Sequence, residues 1–408
     1  MSNEKISIRP IGVSLHAASI VVPGVARALD TLIESALKKG ASDIHIERRE
    51  GASFVRFRVD GLLREVDSPA PALHDSLIAR LKVLARLRTD IHTLPQDGRY
   101  TFRYAGLLAD IRLSIMPTYW GEKAVMRLLT KPSGRRKLYD LGFSSADCVL
   151  IERAIGQPDG LILITGPTGS GKTTTLYEIL EMVAEKDISV VSLEDPIEYA
   201  LGKVTQIPVH HRHNFTFSTA LRALLRQDPD VVMVGEIRDA ETAELAASAA
   251  LTGHLVLSTL HTMDAPRTIV RLITMGVPSF VLAPSLSVVV SQRLVRKVCS
   301  VCAKPSPIPN WCLKAAELKL KKPIGLEKEM RGTGCEACGK TGFRGRSVVY
   351  EIVFVDDELR ELIRSSAGYD ALKNYFEKIG WRSLLGCGVD AVAGGVTTFE
   401  ELFRVLHV

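Results

Sequence analysis

Aromatic residues are scarce in this chain of 408 residues, at 6% of the total with three tryptophans. Proteins that track nucleic acid stack bases on aromatics within basic grooves. That share, with a formal net charge of +6, gives little support for such a channel. Long apolar runs are missing as well. The longest charge-free stretch, Leu272 to Gln292, contains Gly276, Pro278, Pro284 and four serines, so helices joined by a turn are expected there and no membrane span. The opening residues carry Glu4, Lys5 and Arg9 without the apolar segment of a signal peptide. There is no internal repeat and no low-complexity tract. Seven cysteines, an odd number in a long chain, do not suit a secreted disulfide scaffold. The apolar share of 46% and charged share of 24% are ordinary for globular protein, and the length allows two or three domains. These exclusions leave a cytosolic globular protein with at most a weak peripheral pull toward anionic membranes.

The most informative stretch present is Gly166-Pro167-Thr168-Gly169-Ser170-Gly171-Lys172-Thr173-Thr174-Thr175, a match to G-x-x-x-x-G-K-[ST]. The apolar run Leu161–Ile164 ahead of it reads as a buried strand, and the residues from Thr174 to Leu180 behind it read as a helix. In that context the glycines let backbone N–H groups wrap phosphate oxygens. Lys172 reaches the β- and γ-phosphates, and the Thr173 hydroxyl ligates Mg²⁺. A glycine-rich turn that happens to contain a lysine is the bland alternative, and the strand–loop–helix setting argues against it. The chain is expected to bind ATP with Mg²⁺.

Around this motif the texture changes along the chain. Residues 1–25 show no strong period and read as a leader. From 26 to 130 a helix, alternating strands around Ile44, Ile46, Val55 and Phe57, a turn at Asp60-Gly61, an amphipathic helix from Leu73 to Leu87 and further strands describe an α+β domain. Residues 131–140 begin with Lys-Pro-Ser-Gly-Arg-Arg-Lys and read as a linker. Between 141 and 296, short apolar strands alternate with helices, the pattern of a parallel α/β sheet. A cysteine region follows over 297–347, and a mainly helical stretch over 348–408.

Hydrolysis needs carboxylates near the phosphates, and two segments supply them directly after expected strands. These are Glu194-Asp195-Pro196-Ile197-Glu198 and Gly235-Glu236-Ile237-Arg238-Asp239. Ligands gather at the carboxyl ends of strands in open α/β sheets, so these acids are candidates for holding Mg²⁺ through water or orienting an attacking water. Charged residues flanking strands are often merely solvated. His254 and His261 bracket the strand Leu255–Leu260, where each suits either a γ-phosphate sensor or a satisfied polar residue at a strand edge.

Cys299-x-x-Cys302 and Cys335-x-x-Cys338 are two knuckles that could supply four thiolates to a tetrahedral Zn²⁺, with a looped-out insertion between them bearing Trp311 and Lys319 to Lys322. Four thiolates leave no open coordination position, so such a zinc would be structural. Two redox C-x-x-C sites are the alternative, but the thioredoxin-like setting they need is absent. Cys148, Cys312 and Cys387 read as ordinary thiols.

The run Leu225-Arg226-Gln227-Asp228-Pro229-Asp230 through Gly235-Glu236-Ile237-Arg238-Asp239 resembles the signature of the type II/type IV secretion ATPases. The resemblance runs from about Ala26 to the C-terminus. It includes Ala41-Ser42-Asp43-Ile44-His45-Ile46-Glu47, Asp97-Gly98-Arg99, Asp110-Ile111-Arg112 and Pro117-Thr118-Tyr119-Trp120-Gly121-Glu122-Lys123. It implies an α/β fold with a RecA-like P-loop ATPase core, a PAS-like N-terminal domain, a tetracysteine zinc module and a helical tail. It further implies that Glu194 polarises the attacking water, that Glu236 is the Walker B carboxylate despite Gly235 standing where many P-loop enzymes have Asp, and that His261 belongs to a His box. Arg99, Arg112 and Arg127 fall where the family presents arginines to phosphates. Each could equally be a surface arginine paired with an acid. Retraction motors typically lack the cysteine module, so the resemblance favours an assembly or secretion motor. Such a motor would be a homohexamer acting peripherally at the inner membrane on a platform protein. Assembly members commonly carry a further N-terminal docking domain, which this sequence is read as lacking. A nucleic-acid translocating RecA-like ATPase is the rival class, although no nucleic-acid partner is expected.

Overall fold

The computed structural model describes residues 23–67, 71–104, 107–130, 137–210 and 214–407. Most of the expected leader, and residues 131–136 of the expected linker, lie outside them. The chain divides into two compact units, one ending at Thr130 and one starting at Lys131.

The first unit runs α1 (Pro23–Lys38), β1 (Ala41–Arg49), β2 (Ala52–Val59), β3 (Leu62–Asp67), α2 (Pro71–Leu84), β4 (Gln96–Tyr104), β5 (Leu107–Thr118) and β6 (Gly121–Thr130). The strands form one antiparallel sheet in the order β3-β2-β1-β6-β5-β4. Leu29, Ile33 and Ala36 of α1, with Leu77, Ile78 and Leu81 of α2, close over Ile44, Ile46, Val55, Phe57, Ile111, Leu113 and Met126. Apolar residues at alternate strand positions meet apolar residues at helical spacing, as burial on one face of each element requires. Asp60 and Gly61 both take positive φ, 49° and 82°, the two-residue turn whose twist matches a hairpin.

The second unit begins with α3 (Leu138–Leu141) and α4 (Ser145–Ala154). Then come β7 (Gly160–Thr165), α5 (Lys172–Val183), β8 (Val190–Glu194), β9 (Thr205–Pro208), α6 (Phe217–Leu224), β10 (Val231–Val234), α7 (Ala240–Leu251), β11 (Leu255–Leu260), α8 (Ala265–Thr274), α9 (Ser279–Ser285) and β12 (Leu286–Val298). The cysteine segment holds β13 (Ala303–Pro307), α10 (Asn310–Leu320) and β14 (Lys328–Gly332). It leads into β15 (Phe343–Phe354), and the unit closes with α11 (Asp357–Arg364), α12 (Tyr369–Lys378), α13 (Leu384–Ala393) and α14 (Phe399–Leu406).

The central sheet has the order β15-β12-β7-β11-β10-β8-β9. β7, β8, β10 and β11 are buried at every position, which is why they are mostly apolar, β10 entirely so. All pairings from β12 to β9 are parallel, and β15 alone runs antiparallel, against β12.

Three expectations change here. The stretch read as helices joined by a turn is helical only as far as Ser285, and from Leu286 it is a strand paired with β7 on one side and β15 on the other. Helical Pro284 ends α9 and the valine run that follows favours extended backbone. The region expected to be helical from 348 opens instead inside β15, so the cysteine segment is an insertion between two strands of the main sheet. Its helix is not looped out. Cys312 and Ala316 of α10 are buried in the same core as Leu385, Val392 and Phe403 of the C-terminal helices.

Candidate functional site

The sheet order places the chemistry along one edge. Moving across it, β12 carries Gln292, β7 ends at the glycine-rich loop, β11 ends before His261, β10 ends before Glu236 and β8 ends on Glu194. β7, β8, β10 and β11 deliver these groups at their carboxyl ends, where an α/β sheet binds ligands, and Gln292 lies mid-strand in β12 beside the end of β7.

The loop from Gly166 to Gly171 joins β7 to α5 through three glycines with φ of 148°, 80° and 89° at 166, 169 and 171. Space also demands glycine at the first of these. A Cβ on Gly166 would lie 2.5 Å from the Gln292 carbonyl oxygen and 2.6 Å from Ser170 Oγ. Gly171 is the N-cap of α5. The first-turn amides of Lys172, Thr173 and Thr174 therefore have no carbonyl of their own helix to pair with, and they sit at its positive end. Pro167 and Thr168 complete the loop, and its backbone is a concave set of donors suited to phosphate oxygens.

Lys172 is buried, and its Nζ donates to the carbonyl oxygens of Gly166 (2.8 Å) and Pro167 (3.1 Å). Burial pulls its pKa down from 10.5 to about 8, Glu236 opposes that shift, and Arg293 adds to it. Gln292 clamps the loop from the neighbouring strand. Its Nε2 donates to the Ser170 carbonyl at 2.9 Å and its Oε1 accepts from Thr175 Oγ1 at 3.0 Å.

Glu194 is buried and accepts hydrogen bonds from Tyr177 Oη of α5, Ser192 Oγ (2.6 Å) and Gln206 Nε2 of β9 (3.0 Å). Three donors fix the carboxylate in one orientation. Glu236 is half-buried, accepts from Arg238 at 2.5 Å and lies 3.7 Å from His261 Nε2. Burial and the nearby Lys172 lower the His261 pKa below 6.5, against the pull of Glu236. Lys172, Glu236 and His261 thus share one locus. Gly235 has a physical reason to lack a side chain, since a Cβ there would stand 3.0 Å from the Leu193 carbonyl oxygen and 3.5 Å from Glu194 Cα. His254 is at the opposite end of β11, where its Nδ1 meets the Ala249 carbonyl at 3.0 Å and helps finish α7, so of the two histidines only His261 reaches the site.

In the first unit, strand register sets Arg99 opposite Arg112 and Arg112 opposite Arg127. Arg127 in turn stands opposite Asp43, and its Nε donates to Asp43 Oδ1 at 3.1 Å. Like charges directly opposite one another in a sheet are destabilising, and Asp43 at the end of the row offsets part of this charge through Arg127.

The cysteine sulfurs of Cys299, Cys302, Cys335 and Cys338 lie within 4.8 Å of one another. Individual Sγ–Sγ separations are 3.9 Å for Cys299–Cys335, 3.9 Å for Cys302–Cys338 and 3.7 Å for Cys335–Cys338. A tetrahedron with metal–sulfur bonds of about 2.3 Å has edges of about 3.8 Å, so this set fits such an ion. Backbone N–H groups of Cys335 and Gly342 point at Cys338 Sγ (3.2 and 3.3 Å) and lower its pKa to about 6, favouring the thiolate. All seven cysteines are free thiols.

Gln292, Tyr177, Ser192 and Gln206 escaped the sequence reading. Only Gln292 left a signal, as part of the polar Ser291-Gln292-Arg293 inside the apolar run of β12.

A glycine-rich phosphate loop between a parallel strand and a helix, with glutamates at neighbouring strand ends, defines a P-loop ATPase with a RecA-like core. The family model described as "Type II/IV secretion system protein" matches residues 22–404, and the chain belongs to that family. It is 45% identical over 381 residues to the type II secretion system protein HxcR of Pseudomonas aeruginosa, covering 93% of this chain and 77% of that one. Type II secretion system ATPase E of Vibrio cholerae is 44% identical over 381 residues (93% and 75% covered). The type IV pilus assembly ATPase PilB of Myxococcus xanthus is 42% identical over 380 residues (93% and 67% covered). Among solved structures, the pilus retraction motor PilT with bound ADP superposes with a TM-score of 0.61 at 27% identity, covering 92% of this chain and 96% of that one.

Proposed function

We propose that this chain is the ATPase motor of a type II secretion or type IV pilus assembly system, working as a homohexameric ring on the cytoplasmic side of the inner membrane against a platform protein. The observation that carries this reading is the convergence of the phosphate loop, Glu194, Glu236 and His261 on one sheet edge, in a chain similar to both secretion and pilus-assembly ATPases. ATP binds through the loop amides and Lys172. Mg²⁺, when bound, neutralises phosphate charge and is held by Thr173 with Glu236 acting through water. Glu194 orients the attacking water, His261 reports on the γ-phosphate, and Arg112 and Arg127, with Arg99 beside them, stabilise charge on the phosphates. The four cysteines hold a structural Zn²⁺. The unit over 26–130 and the core from 141 onward act as the working parts, with the zinc-binding segment inserted between β12 and β15.

Steady-state ATPase activity measured against oligomeric state by light scattering, with and without single- and double-stranded DNA, tests the reading. Hydrolysis that rises with the hexamer and ignores DNA supports the secretion motor. Hydrolysis that requires DNA overturns it in favour of a nucleic-acid translocase.

A further inference from the structure

The charge of this chain is concentrated in one place. Residues 297–346 hold eight lysines and three arginines against four glutamates, a surplus of seven, whereas the whole chain carries +6. The remaining residues, with 41 cations and 42 acids, are therefore one negative overall. That surplus already counts all four glutamates, of which Glu327 is exposed and the other three are engaged locally. Glu329 is buried under Arg331 and the Phe399 amide, Glu317 accepts from the Ile324 amide, and Glu336 pairs with Lys340. Of the lysines, Lys321 reaches Glu377. Lys297, Lys304, Lys314, Lys319, Lys322 and Lys328 are exposed and have no ion pair with an acid among the described residues.

The helix α10 combines this charge with exposed apolar groups. Cys312 and Ala316 face the core, which turns Trp311, Lys314 and Leu318 outward at spacings of three and four residues, with Lys319 beside them and Lys322 just beyond the helix. Trp311 is 59% exposed although it packs on Phe403 at 5.7 Å, and Leu318 is 80% exposed. Large apolar side chains amid unpaired lysines match the boundary between anionic headgroups and acyl chains, where an aromatic ring and a leucine enter and ammonium groups stay at phosphate level. Lysine outnumbers arginine here, and a strongly hydrated point charge suits diffuse attraction to a fluid anionic surface more than bidentate recognition of a fixed partner.

We propose that the outward face of α10 and the lysines around it dock this ATPase directly on an anionic phospholipid surface. The proposal deepens the peripheral-membrane part of the function above. Its test reads binding and not hydrolysis, so its failure would leave the motor assignment standing. Zinc-loaded full-length protein is sedimented with phosphatidylglycerol–phosphatidylcholine vesicles and with vesicles of phosphatidylcholine alone. Binding is expected only with the anionic vesicles, and added salt should weaken it. Each lysine at such a surface contributes about fivefold in affinity, so the triple variant Lys314→Gln/Lys319→Gln/Lys322→Gln should bind about 100-fold more weakly. Leu318→Ser should lose about tenfold more by removing the inserted side chain. In a Trp120→Phe/Trp381→Phe background, the emission of the remaining Trp311 should shift to the blue on anionic vesicles. Equal binding to both vesicle types, no binding to either, or a triple variant that binds like the parent overturns the proposal. So does competition by polyglutamate or duplex DNA with no effect of Leu318→Ser, which would put an acidic macromolecule on this face.

Discussion

Lys172 carries the sharpest pH dependence in the site. Its pKa near 8, against 10.5 ordinarily, means that between those values the folded chain holds fewer protons than the unfolded one. Without nucleotide, the fold therefore gains stability as pH rises through that window. Nucleotide binding has the opposite sign, because phosphate oxygens want the ammonium. ADP affinity, measured calorimetrically from about pH 7 to about pH 9.5, should fall above pH 8 and approach about tenfold per unit. Lys172→Ala should bind weakly at every pH and show no such slope. Glu194 makes a separate prediction. Its carboxylate is locked by Tyr177, Ser192 and Gln206, and Glu194→Gln keeps its shape while removing its charge. Assembled-state kcat should drop by about 10²–10⁴-fold with ADP affinity nearly unchanged. Unchanged turnover would remove Glu194 from catalysis.

At the scale of elements, β12 holds the phosphate loop in shape. Gln292→Ala leaves the Ser170 carbonyl and Thr175 Oγ1 without their partner, at a cost of about 2–4 kcal/mol in denaturant unfolding, and it should weaken ADP binding as the loop loosens. β12 was also the element least legible in the sequence. Its valines share a charge-free stretch with a true helix, and short apolar runs do not declare their period. β7 and β10 were legible because Gly166 and Gly235 close apolar runs, and β11 because Gly253 precedes a run broken only by Ser258 and Thr259. Their order in the sheet was not, since strand pairing is set by crossovers that leave no local mark. Likewise the ends of β8 and β10 announced Glu194 and Glu236, while the donors that orient Glu194 come from α5 and β9, distant in sequence. The cysteine knuckles were visible by spacing alone. That α10 is welded to α13 and α14 was not, because its buried Cys312 and Ala316, flanked by half-buried Leu313, Ala315 and Leu320, are spaced among lysines and name no partner. Cys338→Ser should abolish bound zinc, assayed by release to a chromophoric chelator. Because α10 shares the main core, it should also expose surface on α13 and α14 to hydrogen exchange, where a dangling loop would not.

At the scale of the molecule, the proposed motor requires the arginine row of the first unit to act on the phosphates bound by the second, within one subunit or between neighbours. Arg112 is the test residue because it sits between Arg99 and Arg127 in register. If its role is toward phosphate, Arg112→Gln should change thermal stability little, unlike the loss that removal of an ion pair important for stability would give. ATPase activity of the assembled protein should nonetheless fall about 10³-fold, through kcat, if the guanidinium meets charge that develops in transfer. Mixing then identifies the donor. Arg112→Gln and Lys172→Ala subunits are each inactive alone, the first lacking the arginine and the second the phosphate lysine. If the arginine crosses to a neighbour, a mixed ring contains intact sites formed by a Lys172 subunit beside an Arg112 subunit, and activity returns on mixing. If it serves its own subunit, every site in the mixture keeps one defect and no ratio restores turnover. A fall in stability with no loss of kcat would instead return Arg112 to the role of an ordinary surface residue.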